Sequence, residues 1–405
     1  MMAAFERPRQ AVVLAGGRGT RMRPLTDDRP KPMIEFHGRP FLEYVIEMLR
    51  EQGFERVELL LGYLPDVVHD HFGDGSRFGV EIGYSVSSPD DLTASRLRLV
   101  EHRLEEHFLL AYCDNYWPMQ MGRMWERFCS LDVLAMVTVY ANRDGYRSGK
   151  DSVRVEEGYV TAFDKTRTTP GLQGVEISYA ILSRQVLDLL PEQDELVELA
   201  LYPQLAERRQ LGAFLTDHRY YSVGGLERLP VTERFLARKP AVILDRDGTL
   251  NHRPPKAQYV TRPEEFEWLP GSLEALRLLE DHDYTVALVS NQAGINRGAL
   301  SEADLGAIHT KMQADVEATG GWIDAIYHCP HDWDEGCECR KPAPGMLFQA
   351  QREFDLDLTR TPFIGDDDRD GQAAEVAGCP FFMVNERRPL LDVVQELVGK
   401  EVVTA

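Results

Sequence analysis

The chain has little positive charge. Against 66 Asp and Glu residues it sets 45 Lys and Arg in 405 residues, a net charge of −21. A general nucleic-acid binder needs a basic face, so this balance excludes one. A small phosphorylated molecule remains an option, because a few local Arg and Lys residues suffice to bind it. Long apolar runs are missing as well. Nothing approaches the ~20 residues of a membrane span, and Met1 to Gln10 holds no apolar signal core. A cytoplasmic protein with no membrane partner is expected, and self-association is left open. Internal repeats and low-complexity tracts are absent. Cysteine is scarce, at six residues, which excludes a dense disulfide framework. What is present, 43% hydrophobic and 27% charged residues, is the composition of a globular protein. The length exceeds one ordinary core and predicts two domains.

The alternation of apolar strands with amphipathic helices predicts an α/β protein in both halves. We place the first domain at residues 8–226, a linker at 227–238 and the second domain at 239–405. The first opens on a short buried strand, Ala11 to Ala15, followed by Gly16-Gly-Arg-Gly-Thr20. Closely spaced glycines let backbone N–H groups approach phosphate oxygens. A bare G-G-x-G is equally a turn. Arg21 and Lys31 add positive charge for a polyphosphate.

The second domain opens on Ala241-Val-Ile-Leu-Asp-Arg-Asp-Gly-Thr-Leu250. Residues two apart on a strand share a side, so Asp245 and Asp247 should face one pocket while Arg246 points away. Two such carboxylates call for a cation or a shared proton. One can attack phosphorus and the other can move protons. Alone, the stretch also reads as an acidic strand-to-turn junction. Later strands end in Ser290-Asn291 and in Asp366, the edge where open parallel sheets bind ligands. Ser272 and Ser301 are expected N-caps of helices. Cys329, His331, Cys337 and Cys339 lie close in sequence and offer four soft or borderline ligands suited to closed tetrahedral Zn²⁺.

The run Leu14-Ala-Gly-Gly-Arg-Gly-Thr-Arg-Met-Arg-Pro-Leu-Thr26 with Lys31-Pro-Met33 resembles the signature of sugar-1-phosphate nucleotidyltransferases, the heptose-1-phosphate guanylyltransferases among them. The resemblance implies a Rossmann-like nucleotidyltransferase fold. It also implies a nucleotide site at Ala15, Gly16, Gly17, Gly19, Thr20 and Lys31, with Arg21 catalytic, Asp114 as a Mg²⁺ ligand, and Lys165 and Glu176 on the sugar phosphate. Two departures stand out. Ser222 occupies the place of the second metal aspartate, and Leu92-Thr93 replaces a Gly-Thr.

Leu244-Asp-Arg-Asp-Gly-Thr-Leu250, Ser290-Asn-Gln-Ala-Gly-Ile-Asn-Arg-Gly298 and Cys339-Arg-Lys-Pro-Ala-Pro-Gly-Met346 resemble the haloacid dehalogenase superfamily. Within it they look like the D-glycero-D-manno-heptose 1,7-bisphosphate 7-phosphatases, with histidinol-phosphate phosphatases as neighbours. The resemblance implies a parallel α/β fold with a zinc loop and no large cap. Asp245 would be the nucleophile and Asp247 the acid and base. Asp245, Asp366 and the Asp247 carbonyl would hold Mg²⁺, with Asp370 in support and Asp367 and Asp368 as solvated loop charges. Ser290 and Asn291 would bind phosphate oxygens, Lys341 would offset charge, and Arg297 and Arg340 would anchor substrate. The structural zinc loop would pin Arg340 and Lys341 over the nucleophile. Together the halves imply two consecutive steps on a sugar phosphate and a nucleoside triphosphate. A phosphatase carrying a non-catalytic first domain is the alternative.

Overall fold

The computed structural model describes residues 6–404 apart from Ser148, Lys256 and Ala257. The chain divides into two compact units, one ending at Leu236 and the other beginning at Ala237. Residues 227–238, expected as a linker, fold largely as the helix Leu229–Leu236, which buries Thr232, Phe235 and Leu236. Phe235 stacks on Tyr221 with ring centroids 3.7 Å apart, so this helix completes the first unit.

The first unit is built on a nine-stranded mixed sheet. From edge to edge its order is Glu81–Val86, Arg56–Leu61, Gln10–Ala15, His107–Tyr112, Val175–Ser183, Ala135–Tyr140, Leu211–Thr216, Tyr159–Phe163 and Val153–Glu156. Gln10–Ala15 is apolar on both faces because it pairs in parallel on both sides and is covered above and below. Its alternate residues enter different cores. Ala11, Val13 and Ala15 pack with helix Phe41–Glu51, and Val12 and Leu14 pack with Leu97 and Leu201.

The second unit carries a parallel five-stranded sheet in the order Ala325–Cys329, Thr285–Asn291, Ala241–Leu244, Phe363–Gly365, Phe381–Met383. The same alternation divides Val242 and Leu244 from Ala241 and Ile243 between two apolar clusters. The three central strands bring the residues after Leu244, Val289 and Gly365 to one edge. Ser301 caps helix Glu302–Ala318 in a reciprocal box with Asp304. Ser272 is not a cap. Gly271 takes that position at φ 82°, and the Ser272 hydroxyl donates to the Thr249 carbonyl at 3.4 Å. Among the described residues no helix is long and apolar enough to cross a membrane.

Candidate active site

Asp245 leaves its strand with its backbone N–H bonded to Ile364 O at 2.9 Å, which holds the carboxylate at the sheet edge. Lys341 Nζ donates to Asp245 Oδ1 at 2.5 Å, lies 2.7 Å from Asp370 Oδ1 and donates to Val289 O at 3.1 Å. All three side chains are buried. Burial works against the Lys341 charge, but the two carboxylates more than offset it and its pKa is raised. Burial pushes the Asp245 carboxyl up, to about 7, against the pull of Lys341. Asp245, Asp366 and Asp370 offer oxygens within 4.8 Å of one another, a set of hard ligands fit for a divalent cation. Gly248 makes the approach feasible. It sits at φ +99°, and a Cβ there would lie 1.9 Å from Asp366 Oδ2.

Arg246 does not point away from the pocket. The strand ends at Leu244, and the backbone turns before period-two alternation can act on residue 246. The Arg246 guanidinium is 1% exposed. It grips both oxygens of Asp247 at 3.0 and 2.9 Å and faces His309 Nε2 at 3.3 Å. Asn251 and Gln292 donate to the same carboxylate at 3.0 and 2.9 Å. Burial opposes the Asp247 charge, yet these donors together hold its pKa below the usual carboxylate value.

Ser290 turns its hydroxyl inward, where Gln292 Nε2 donates to it at 2.7 Å. The Asn291 side chain has a task the sequence did not indicate. Its amide brackets the Lys341 backbone, donating to the carbonyl and accepting from the N–H, each at 3.0 Å. A cavity of about 650 Å³ opens above these groups. Arg297 and Arg340 line it, and both are tethered. Arg297 clasps Asp332 at 2.6 and 2.8 Å, and Arg340 donates to His331 O at 3.1 Å.

Cys329, His331, Cys337 and Cys339 converge, with their ligand atoms all within 4.8 Å of one another. His331 Nδ1 is 3.5 Å from Cys329 Sγ and 3.3 Å from Cys339 Sγ. The three sulfurs lie 3.2 to 3.6 Å from one another. A Zn–S bond of ~2.3 Å gives tetrahedral edges of roughly 3.8 Å, so the cluster has the size of a closed four-ligand metal site.

In the first unit the glycine loop is supported from beneath by Arg96, a residue no sequence motif marked. It is 4% exposed and donates to the carbonyls of Leu61 and Ser88, both at 2.7 Å, and of Gly16 at 3.5 Å. A Cβ on Gly16 would fall 2.0 Å from its guanidinium. Ala15 ends the buried strand, and Gly17, Thr20 and Arg21 face solvent. Gly19 adopts φ 61° at the start of a short turn. Lys31 Nζ lies 2.5 Å from Asp114 Oδ2, and Ser222 stands where a second carboxylate was sought. Lys165 donates to Glu198 at 2.9 Å and lies 3.8 Å from Glu176. Burial pushes the Glu176 carboxyl up to about 6. Glu198 is a buried acid that sequence reading missed because it stands in an ordinary-looking first helical turn.

A family model described as nucleotidyl transferase matches residues 10–155, and one described as HAD-hydrolase-like matches residues 338–387. The D-glycero-beta-D-manno-heptose-1,7-bisphosphate 7-phosphatase of Bordetella bronchiseptica is 47% identical over 143 residues, 35% of this chain and 79% of that protein. The chain belongs to the heptose-1,7-bisphosphate 7-phosphatase family. The D-glycero-alpha-D-manno-heptose-1,7-bisphosphate 7-phosphatase of Campylobacter jejuni is 41% identical over 149 residues, 36% of this chain and 84% of its own. A solved structure of HddC from Yersinia pseudotuberculosis covers 56% of this chain and 99% of its own at 23% identity, with a TM-score of 0.48.

The phosphatase-family unit holds a further group that sequence reading missed. Arg253 donates to the Asp247 carbonyl at 3.3 Å, to Asp366 Oδ1 at 2.7 Å and to Asp367 Oδ2 at 3.1 Å. The only signal was a lone Arg just beyond the D-x-D-G turn of an acidic chain. Asp367 is not simply a solvated charge. It caps helix Asp368–Ala377 in a reciprocal box with Asp370 and also binds Arg369. Asp368 is exposed.

Proposed function

We propose that this chain is a bifunctional enzyme of heptose activation. Its second unit removes the 7-phosphate from D-glycero-D-manno-heptose 1,7-bisphosphate, and its first unit transfers a nucleotidyl group to the resulting heptose 1-phosphate. The observation that carries the first half is the buried Asp245–Lys341–Asp370 cluster in a chain of which 143 residues align at 47% identity with a phosphatase of that name. The second half rests on the nucleotidyl transferase match across the glycine loop.

The chemistry follows from the side chains. An Asp245 oxygen attacks the phosphorus of the 7-phosphate and forms an aspartyl phosphate, while the bond to the sugar oxygen breaks. Asp247 is held ionised by its donors, so it must take up a proton as substrate binds. It then gives that proton to the leaving sugar oxygen and takes one from the water that cleaves the aspartyl phosphate. Arg246, Asn251 and Gln292 hold the Asp247 carboxylate in place for both transfers. Lys341 balances the charge gathered at Asp245 and the phosphoryl group, and the Ser290 hydroxyl is set to receive a phosphate oxygen. The carboxylates of Asp245 and Asp366 and the Asp247 carbonyl would hold Mg²⁺, with Asp370 behind them. The ion supplies charge neutralisation at the phosphoryl oxygens.

The four-ligand cluster is read as a zinc site, because its thiols and imidazole suit that ion. Its role is positional. It directly precedes Arg340 and Lys341, so closing it fixes where those cations start. In the first unit an oxygen of the sugar 1-phosphate attacks the α-phosphorus of a nucleoside triphosphate and pyrophosphate leaves. A cytoplasmic setting agrees with such substrates and with six unpaired cysteines.

Phosphate release from heptose 1,7-bisphosphate, in both anomers, and from histidinol phosphate tests the substrate reading. A higher kcat/KM for a heptose bisphosphate is expected, and preference for histidinol phosphate would remove the assignment.

A further inference from the structure

Ser222 stands beside Asp114 because its strand pairs with Asn115–Tyr116, with Ser222 opposite Asn115. The Val223 N–H donates to the Asp114 carbonyl at 3.0 Å. The Ser222 hydroxyl accepts from Arg228 Nη1 and from the Gly224 N–H, each at 3.0 Å. A Cβ placed on Gly224 would lie 3.5 Å from Arg228 Nη1 and 3.9 Å from Asp114 Oδ2. Guanidinium and carboxylate therefore border one small gap beside this glycine. Lys31 binds the same Asp114 oxygen at 2.5 Å, and its stem passes 3.2 Å from where a Cβ on Gly19 would sit. The glycine loop, Lys31, Asp114 and Arg228 thus form one continuous patch.

The charges of this patch suit an anion better than a divalent cation. A Mg²⁺ site gathers carboxylates. Here one carboxylate is already matched by an ammonium, and the place of a second holds a hydroxyl bonded to a guanidinium. Arg228 also lies 3.5 Å from Glu227, but that carboxylate is 74% exposed and a screened pair of this kind binds weakly. Asp114 and Ser222 therefore do not fit a resident metal ion. A planar guanidinium and an ammonium, both beside a glycine loop, do fit phosphate oxygens.

We propose that the first unit grips the phosphates of its nucleotide with Arg228 and Lys31, in place of a divalent cation held by Asp114. The inference rests on the reading that this unit binds a nucleoside triphosphate, and the experiment separates the two.

The full chain would be titrated calorimetrically with GTP, ATP, CTP and dTTP in buffer freed of divalent ions over a chelating resin, and again with magnesium added. For the best nucleotide, Kd is expected to change less than about threefold between the buffers, and Arg228→Leu is expected to weaken binding about tenfold in both. Arg228→Lys should recover most of the loss, which separates charge from folding. Ser222→Asp should make binding depend on magnesium. Parent binding that vanishes without magnesium, or an Arg228→Leu variant that binds like the parent, overturns the proposal while the nucleotide reading stands. Absence of binding to all four nucleotides in both buffers overturns the reading and the proposal together.

Discussion

Lys341 Nζ lies 2.5 Å from Asp245 Oδ1 and 2.7 Å from Asp370 Oδ1, so one buried ammonium serves two buried carboxylates. Removing one partner from a buried charge cluster leaves the others uncompensated, a loss of about 3–5 kcal/mol. Lys341→Met should therefore lower stability by roughly that amount in urea unfolding of the second unit. It should also slow phosphate release by about a hundredfold or more, since charge at the phosphoryl group loses its counterion. Near-parental turnover in a folded variant would contradict the role given to Lys341.

Arg253 occupies acceptors that a divalent cation would use, the Asp366 carboxylate and the Asp247 carbonyl. Burial pushes Asp366 up, to about 6, and Arg253 pulls it down, so this guanidinium already does part of the neutralising. Arg253→Met should bind Mg²⁺ about tenfold more tightly in calorimetric titration, because no internal cation has to leave first. Equal affinity in parent and variant would show that the guanidinium does not compete.

His309 gives the second unit an acid limit. Burial, then the facing Arg246, lowers its pKa to about 3. The unfolded chain takes up this proton near pH 6.5 and the folded chain does not. Stability is thus lost as pH falls below about 6.5, by about 2 kcal/mol at pH 5. A ring nitrogen 3.3 Å from a guanidinium must act as the acceptor, so protonation would also break the support of Arg246. His309→Gln should shrink the stability difference between pH 7 and pH 5 by about 2 kcal/mol. An unchanged difference would place the acid sensitivity elsewhere.

The four-ligand cluster should carry about one zinc per chain, bound with energy ample to order a short loop. Cys337→Ser should lower that stoichiometry in elemental analysis and reduce phosphatase activity, because Arg340 and Lys341 follow Cys339 directly. Full activity in a zinc-free variant would separate the metal from the site.

The parts of the site that could be read from sequence are those fixed by strand ends and by spacing. Asp245, Ser290 and Asp366 follow apolar runs whose burial leaves little choice of direction, and Cys329 to Cys339 bring their ligands together by chain proximity alone. Arg246 was misread because alternation applies only inside a strand, and the backbone turns at once into Gly248 at φ +99°. The bracket that the Asn291 amide places on the Lys341 backbone could not be read from sequence, because that partner comes from a distant loop. Arg96, Glu198 and Arg253 carried no motif, and their roles arise from what the fold brings beside them. The helix Leu229–Leu236 looked like a linker because its buried face is short and its partner strand lies just before it.

The central claim is that one chain carries out two consecutive steps. Heptose 1,7-bisphosphate would be offered with each nucleoside triphosphate to the parent and to Asp245→Asn, with phosphate, pyrophosphate and nucleotide-heptose measured together. The parent is expected to release all three. Asp245→Asn should release none of them from the bisphosphate, yet form nucleotide-heptose and pyrophosphate when heptose 1-phosphate is supplied. Phosphate without nucleotide-heptose for every nucleotide and both anomers would contradict the account and leave a phosphatase alone.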